Sequence, residues 1–288
     1  VARRSGIAAV AEQMNIFPAD FRTGRTVSFP EGQVIRQFTI AEGALDTDGI
    51  ISLPKFKTHA LTRFTGAVKN QFGCIPGILK GEFHSRLNKM DKFAAMLVDL
   101  NRFLRPRLYI MDGIVAMEGN GPHNGKPKPL GALLFSTDPV ALDTVACRLA
   151  NLEPSLVPTN VIGEALGLGT YTNITVLGDA VETLAREDFD ANRKPDISAN
   201  TMHPILSRVM KNYLVPRPVI RAERCIRCGN CVKMCPVNPK AVDFTDIEKK
   251  AVPRYNYRNC IRCYCCQEIC PEGAIEVETP LLGRIIHR

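Results

Sequence analysis

The sequence has no tryptophan and only five histidines among 288 residues. It has no apolar run approaching the ~18 residues that a membrane-crossing helix needs, so no span is expected. The first residues, Val1-Ala2-Arg3-Arg4, hold neither an initiator Met nor the apolar stretch of a secretory signal. That predicts a fragment or a processed product, and argues against an oxidising extracellular setting. No Walker or dinucleotide fingerprint is present, because the glycines lack the required order and the required lysine. Basic residues exceed acidic ones, 37 to 29, for a formal charge of +8. They form no stripe interleaved with aromatics, so nucleic acid is not expected as a partner. What remains is the composition of an ordinary globular protein, 45% hydrophobic and 23% charged, with length enough for about two domains.

Against these absences stand 11 cysteines. Eight fall in two runs, Cys225-x-x-Cys228-x-x-Cys231-x-x-x-Cys235-Pro236 and Cys260-x-x-Cys263-x-x-Cys266-x-x-x-Cys270-Pro271. Zinc sites use pairs of Cys-x-x-Cys and not triplets followed by Cys-Pro. A disulfide framework would need an oxidising compartment. The two runs resemble the two-cluster 4Fe–4S ferredoxins over about the last quarter of the chain. Three thiolates at intervals of three can wrap one face of a cubane cluster, while the fourth points away and the following Pro stops the helix. The resemblance implies one ligand set of Cys225, Cys228, Cys231 and Cys270, and another of Cys260, Cys263, Cys266 and Cys235. Two 4Fe–4S clusters are therefore the expected cofactors.

Each oxidised cluster with four thiolates carries −2, which would bring the loaded chain near +4. Arg224, Arg227, Lys233, Arg258 and Arg262, beside the cysteines, read as charge compensation. Three cysteines remain. Cys147 lies in an apolar helical stretch and reads as core. Cys265 adjoins a ligand and reads as packing. Cys74 lies between Gly73 and Pro76 in a basic setting; it is either a thiol of lowered pKa or a buried one, and both readings stay open.

Read in order, residues 5–15 predict a short helix capped by Ser5. Thr26–Phe29 and Gln33–Ile40 read as strands, and Gly49–Pro54 as a short buried one. Thr62–Phe72 and Lys89–Leu104 have helical apolar spacing. Leu108–Met111 reads as a buried strand ending at Asp112. Gly131–Ser136 follows as a strand, then a helix opened by Asp138-Pro139, then a strand over Asn173–Leu177. Residues 185–200 read as polar and irregular, and His203–Tyr213 as a linking helix. Apolar strands alternating with amphipathic helices predict an α/β layered domain with a mainly parallel sheet. A small α+β two-cluster ferredoxin-like domain follows it. The expected division is an α/β domain over 1–200, a linker over 201–217, the cluster domain over 218–280 and a tail over 281–288.

The segment 54–86 concentrates charge, with Lys55, Lys57, Arg63, Lys69, Lys80 and Arg86 against Glu82 alone. His59 and His84 lie in it too. A basic group of this kind, just beyond a strand, suits a carboxylate or phosphate; composition alone leaves a solvated loop equally open. Pro54–His84 with Phe64-Thr65-Gly66-Ala67-Val68-Lys69-Asn70, Asp112-Gly113-Ile114, Met117-Glu118-Gly119-Asn120-Gly121-Pro122, and Thr137-Asp138-Pro139-Val140-Ala141-Leu142-Asp143 resemble the family known as domain of unknown function 362, over roughly residues 1–180. Its members often carry a ferredoxin module. They usually begin with a further α/β segment bearing a Lys-Pro-Asn element, which predicts that the first strands are missing here.

Within this frame Lys57 and His59 lie two apart and should point to one side of a strand. His59 is a candidate acid/base or metal ligand. Lys69 and Asn70 are candidates to grip an anion, and Cys74 and Asp112 complete the catalytic candidates. Glu118 and Asn120, in a Gly-rich loop, and Asp143 are weaker candidates for ligand binding. Asp138 reads as a helix cap.

The expected function is electron transfer through two 4Fe–4S clusters, with an oxidoreductase acting on an anionic small molecule in the α/β domain. The alternatives are an electron carrier docking an acidic redox partner protein, or a redox sensor. An anaerobic or reducing cytoplasm is the expected location.

Overall fold

The computed structural model describes residues 3, 5–77, 79–87, 89–194, 210–246, 248 and 250–286. Most of the linker expected over 201–217, and most of the helix expected over His203–Tyr213, lie outside them.

The N-terminal part is a mixed α/β layer. Helix α1 (Ile7–Gln13) begins after Gly6, a left-handed residue, so the cap falls there and not on Ser5. Strands β1 (Gly24–Ser28) and β2 (Gln37–Ala41) pair antiparallel, and the short helix α2 (Glu42–Leu45) follows. The main sheet is built on β6 (Leu108–Glu118). Along one edge of it run β3 (Ile51–Ser52) and β4 (Lys55–His59), both parallel to β6 and interrupted at Pro54. Strand β5 (Arg63–Thr65) extends β4 antiparallel, and β7 (Lys126–Ser136) lines the other edge of β6 antiparallel. The parallel α/β pairing expected from the sequence thus lies at the centre, with antiparallel strands outside.

Four further sequence expectations are corrected. Asp112 does not end its strand: β6 continues to Glu118 through an irregularity near Gly113–Val115 that shifts register against both neighbours. Thr62–Thr65 is not helical, because Arg63–Thr65 pairs with β4. Helix α3 (Ala67–Asn70) begins only after Gly66 and passes into a 3-10 turn over Gln71–Cys74. Asn173–Leu177 is not a strand, and Leu177 is 89% exposed, with no sheet edge to pair with. The strand before Pro54 is not wholly buried, since Ile51 faces solvent.

Helix α4 (Leu79–Arg86) leads to α5 (Met90–Leu104), whose apolar face packs Phe93, Met96, Leu97 and Leu100 against Phe38, Phe72 and Phe83. Asp138 caps α6 (Pro139–Leu149), as its sequence predicts: Oδ1 accepts the N–H of Val140 at 2.8 Å and of Ala141 at 2.9 Å. Helix α6 packs against one face of the sheet, joining Leu142 and Ala146 to Phe56, Phe64, Tyr109, Met111 and Leu130. Helices α7 (Pro158–Ala165) and α8 (Val181–Leu184) complete this part.

The C-terminal part is small, α+β and ferredoxin-like. Strands β8 (Arg217–Ile220) and β11 (Ile275–Glu278) pair antiparallel, as do β9 (Val242–Asp243) and β10 (Arg254–Tyr255). Its two cysteine runs repeat one backbone path. Arg227 and Arg262 both have positive φ, as do Gly229 and Tyr264, and each pair is followed by a short helix, Asn230–Met234 or Cys265–Glu268.

The two parts meet along a polar seam. Gln267 Nε2 donates to Asn120 Oδ1 at 2.9 Å and to its carbonyl at 3.1 Å. The N–H of Val277 reaches the same Oδ1 at 3.4 Å, and Asn124 donates to the Ile275 carbonyl.

Candidate functional site

The eight cysteines of the two runs lie in the C-terminal part, four of them around one cavity. Cys225, Cys228, Cys231 and Cys270 line one cavity with Ile220, Ile226 and Pro271, although Cys270 lies 39 positions beyond Cys231 in sequence. Cys235 and Cys260 share an apolar cluster around Ala241 and Val242, and Cys263 and Cys266 lie within electrostatic reach of that group. Sulfurs also receive hydrogen bonds, as cluster thiolates require. The N–H of Ala274 points to Cys270 Sγ at 3.2 Å, and that of Ala241 to Cys235 Sγ at 3.4 Å. The residues present therefore fit iron–sulfur ligation. Cys147 is a fully buried core residue and Cys265 is buried beside Cys263, so neither reading from sequence changes.

A second site forms where the helix Cys265–Glu268 meets β4. His59 is 3% exposed. Its Nδ1 accepts the N–H of Leu61 at 2.9 Å and of Thr62 at 3.2 Å. An accepting Nδ1 fixes the tautomer: the proton sits on Nε2. That atom stands 2.9 Å from Oε1 of Glu268, whose side chain is 26% exposed. The two are off the line of a good hydrogen bond, and both stay without a hydrogen-bond partner. Burial lowers the His59 pKa to about 4, reinforced by Lys69 and opposed by Glu268. Burial works against the Glu268 carboxylate, but Lys69 and His59 outweigh it and hold Glu268 well below the usual carboxylate range.

Around this pair stand Lys57, Lys69, Lys80 and His84. Burial lowers the pKa of Lys57, and Lys69 adds to it. Lys80 is lowered by burial against the pull of Glu268. Lys69 is 9% exposed, with its Nζ 5.7 Å from the Phe72 ring centroid. His84 stacks on Phe93 at 4.3 Å and meets Phe72 edge-on at 5.8 Å. Its Nε2 is buried with no hydrogen-bond partner, and burial lowers its pKa to about 3. None of the three lysines makes an ion pair within 4.0 Å among the described residues. Buried donors without acceptors are uncommon in folded proteins and cost about 1–3 kcal/mol each. Lys69 is buried and Lys57 and Lys80 are half-buried, so with the two imidazoles they surround the Glu268 carboxylate with basic groups.

The other candidates lie elsewhere. Asn70 faces outward and donates to Ser52 Oγ at 3.0 Å, beside Gln71 on the same oxygen at 2.6 Å, so it anchors α3 to β3. Cys74 is buried, and burial pushes its thiol up to about 11, the reverse of an activated thiol. Asp112 sits on the open sheet face, paired with Lys55 at 2.7 Å. Its carboxyl is lowered because Lys55 and the Ile114 N–H outweigh its slight burial. Glu118 accepts the N–H of Asp190 at 3.0 Å, and Asn120 belongs to the seam. Asp143 accepts the N–H of Ala67 at 2.6 Å and of Val68 at 3.1 Å, capping the helix that carries Lys69. Only glycine at 66 permits this approach, since a Cβ there would lie 2.1 Å from Asp143 Oδ1. Burial pushes Asp143 up to about 7, against those two bonds.

Sequence reasoning missed Glu268, Gln267 and His123. A signal for Glu268 existed: it is the one acidic residue in Cys260–Cys270, at the place where the first run has Lys233. His123 is half-buried; burial and Lys57 lower its pKa, and Glu268 opposes them.

An α/β part with a cluster of basic residues, joined to a ferredoxin-like part with two four-cysteine runs, defines an iron–sulfur protein of two fused modules. Residues 216–274 match a 4Fe-4S dicluster domain. Residues 1–148, about half the chain, match the family described as Domain of unknown function (DUF362), and the chain belongs to it. The chain is also similar to a thylakoid-associated protein of Synechocystis, at 38% identity over 169 residues. That alignment covers 58% of this chain and 52% of the relative, so the chain spans about half the length of the curated relative it matches. Among the described residues no helix is long and apolar enough to cross a membrane.

Proposed function

We propose that the chain is an oxidoreductase that exchanges electrons between two 4Fe–4S clusters and an anionic small molecule held by Lys57, Lys69, Lys80 and His59. The clusters, when bound, supply electrons one at a time. The chain's own residues do the rest. The three lysines attract and orient the anion at a site where partial burial strengthens each charge interaction. His59 presents its Nε2 proton to the incoming oxyanion, held in that tautomer by the backbone of Leu61 and Thr62.

The observation that carries this reading is the position of Glu268. It lies two residues from Cys266 and two from Cys270, one in each ligand set, and its carboxylate reaches His59. The cationic site therefore adjoins the short helix that carries Cys266 and leads directly to Cys270. Glu268 marks where an oxyanion group rests, and a substrate anion competes with it. Burial of His59 favours a small molecule over the surface of an acidic protein. Eleven cysteines with no disulfide among them suit a reducing compartment.

The test is anaerobic. Reduced, cluster-loaded protein is mixed with dicarboxylates and phosphate esters, and cluster absorbance is followed. Reoxidation by a compound of this class, lost in Lys57→Ala and His59→Gln, is the expected result. Reoxidation only by an acidic protein, with both variants merely slower and salt-sensitive, would replace the enzyme with an electron carrier.

A further inference from the structure

The two cysteine runs follow one backbone path, and this exposes a difference between them. Ile220 stands five residues before Cys225, and Tyr255 five before Cys260. Ile220 lines the first cavity and offers it no donor. The Tyr255 hydroxyl lies 3.1 Å from Cys266 Sγ. The counterpart of Cys266 in the first run is Cys231. Tyr255 is held for this contact by pairing with Val242 across β10 and β9 and by a parallel stack on Tyr257, with centroids at 5.5 Å.

We propose that Tyr255 is a positioning residue that raises the reduction potential of the cluster held by Cys260, Cys263, Cys266 and Cys235, by donating its hydroxyl proton in a hydrogen bond to Cys266 Sγ. A cluster thiolate has no proton, so the phenol must be the donor. A donor to sulfur stabilises the more negative, reduced state. This matters most in the second set, where Cys235, Cys260 and Cys266 are buried, while Cys228 of the first set is exposed. Burial of a negatively charged centre opposes its reduction; the Tyr255 hydroxyl offsets that opposition.

The inference rests on the two-cluster reading, and one experiment separates the two. An EPR-monitored redox titration of the cluster-loaded protein comes first. Two reducible centres support the reading; a single centre, with about half the expected iron, overturns reading and inference together. Tyr255→Phe removes the oxygen and keeps the stacked ring. It should shift one midpoint to more negative potential and leave the other in place. Ile220→Tyr should shift the other midpoint upward. Two centres with both midpoints unmoved in Tyr255→Phe would overturn the inference and leave the cluster assignment standing. Pulsed EPR of the reduced protein in D2O gives a second readout: an exchangeable deuteron coupled to one centre, absent in Tyr255→Phe. Its persistence in that variant would also count against the role.

Discussion

His59 Nε2 and Glu268 Oε1 stand 2.9 Å apart, one from the edge of the α/β sheet and the other from inside a cysteine run. The contact joins two modules that sequence similarity treats separately. It also gives the cationic site an internal anion, and this fixes the sign of several outcomes.

Anion affinity should respond in opposite directions to charge removal on the two sides. Lys57→Ala and Lys69→Ala should each weaken binding of a small dianion by roughly tenfold or more, in line with about 1.5–3 kcal/mol for hydrogen bonds to charged groups. Glu268→Gln should tighten it, because the competitor is gone. Lys55→Ala should change neither affinity nor, by more than about 1 kcal/mol, stability, since its pair with Asp112 is on the open face. Calorimetric titration with a dicarboxylate measures the first two, and chemical denaturation the third.

Stability should fall on acidification from about pH 6.5 towards pH 4. His59 and His84 stay neutral in the folded chain to about 4 and about 3, but take up protons near 6.5 once unfolded. The unfolded state thus binds more protons in that window, and stability rises with pH across it. Asp143, raised to about 7, acts oppositely between its ordinary value and 7, and offsets one of the two imidazoles. Denaturant midpoints at pH 7 and pH 5 should show a net loss at pH 5. His84→Gln should reduce the loss; an unchanged difference would mean that His84 titrates normally in the fold.

Asp143→Ala should destabilise the chain by about 1–2 kcal/mol, the usual effect of removing a helix cap. It should weaken anion binding as well, because the capped helix carries Lys69. Asp143→Asn keeps one acceptor and should recover most of both. Guanidinium melts and dianion titrations on the same samples test the link.

Anaerobically reconstituted protein should hold about eight irons per chain, in two four-iron sites. Cys270→Ser should disturb the site of Cys225, Cys228 and Cys231, and Cys235→Ser the other. Cys265→Ser should leave the iron content unchanged. Iron and sulfide analysis with EPR tells these apart.

The two cysteine runs were legible because their spacing is local, while placing Cys270 with the first run depended on the ferredoxin resemblance; Asp138 was legible because a cap acts within three residues. Lys57 and His59 were legible as a pair because strand alternation puts them on one side. The rest depended on contacts between distant segments. Asn120 looked like part of a ligand-binding loop because Gly-rich loops allow close approach; what approaches is Gln267. Asp143 had no local explanation because its partners, Ala67 and Val68, lie far back in the chain. Thr62–Phe72 carried a helical apolar stripe, but pairing of Arg63–Thr65 with β4 overrode it. Glu268 lies inside a motif whose cysteine spacing says nothing about the residues between them, and its partner His59 is more than 200 positions away.

The seam at Asn120 and Asn124 has one more consequence. Severing the chain ahead of Arg217 would uncover the flank of β4 and let water reach His59. In the liberated N-terminal part that imidazole would drift back towards ordinary titration, and the lysines around it would become plain surface charges. The buried character of the His59 site is thus conferred by the neighbouring module, and the smallest unit that keeps it is the joined pair.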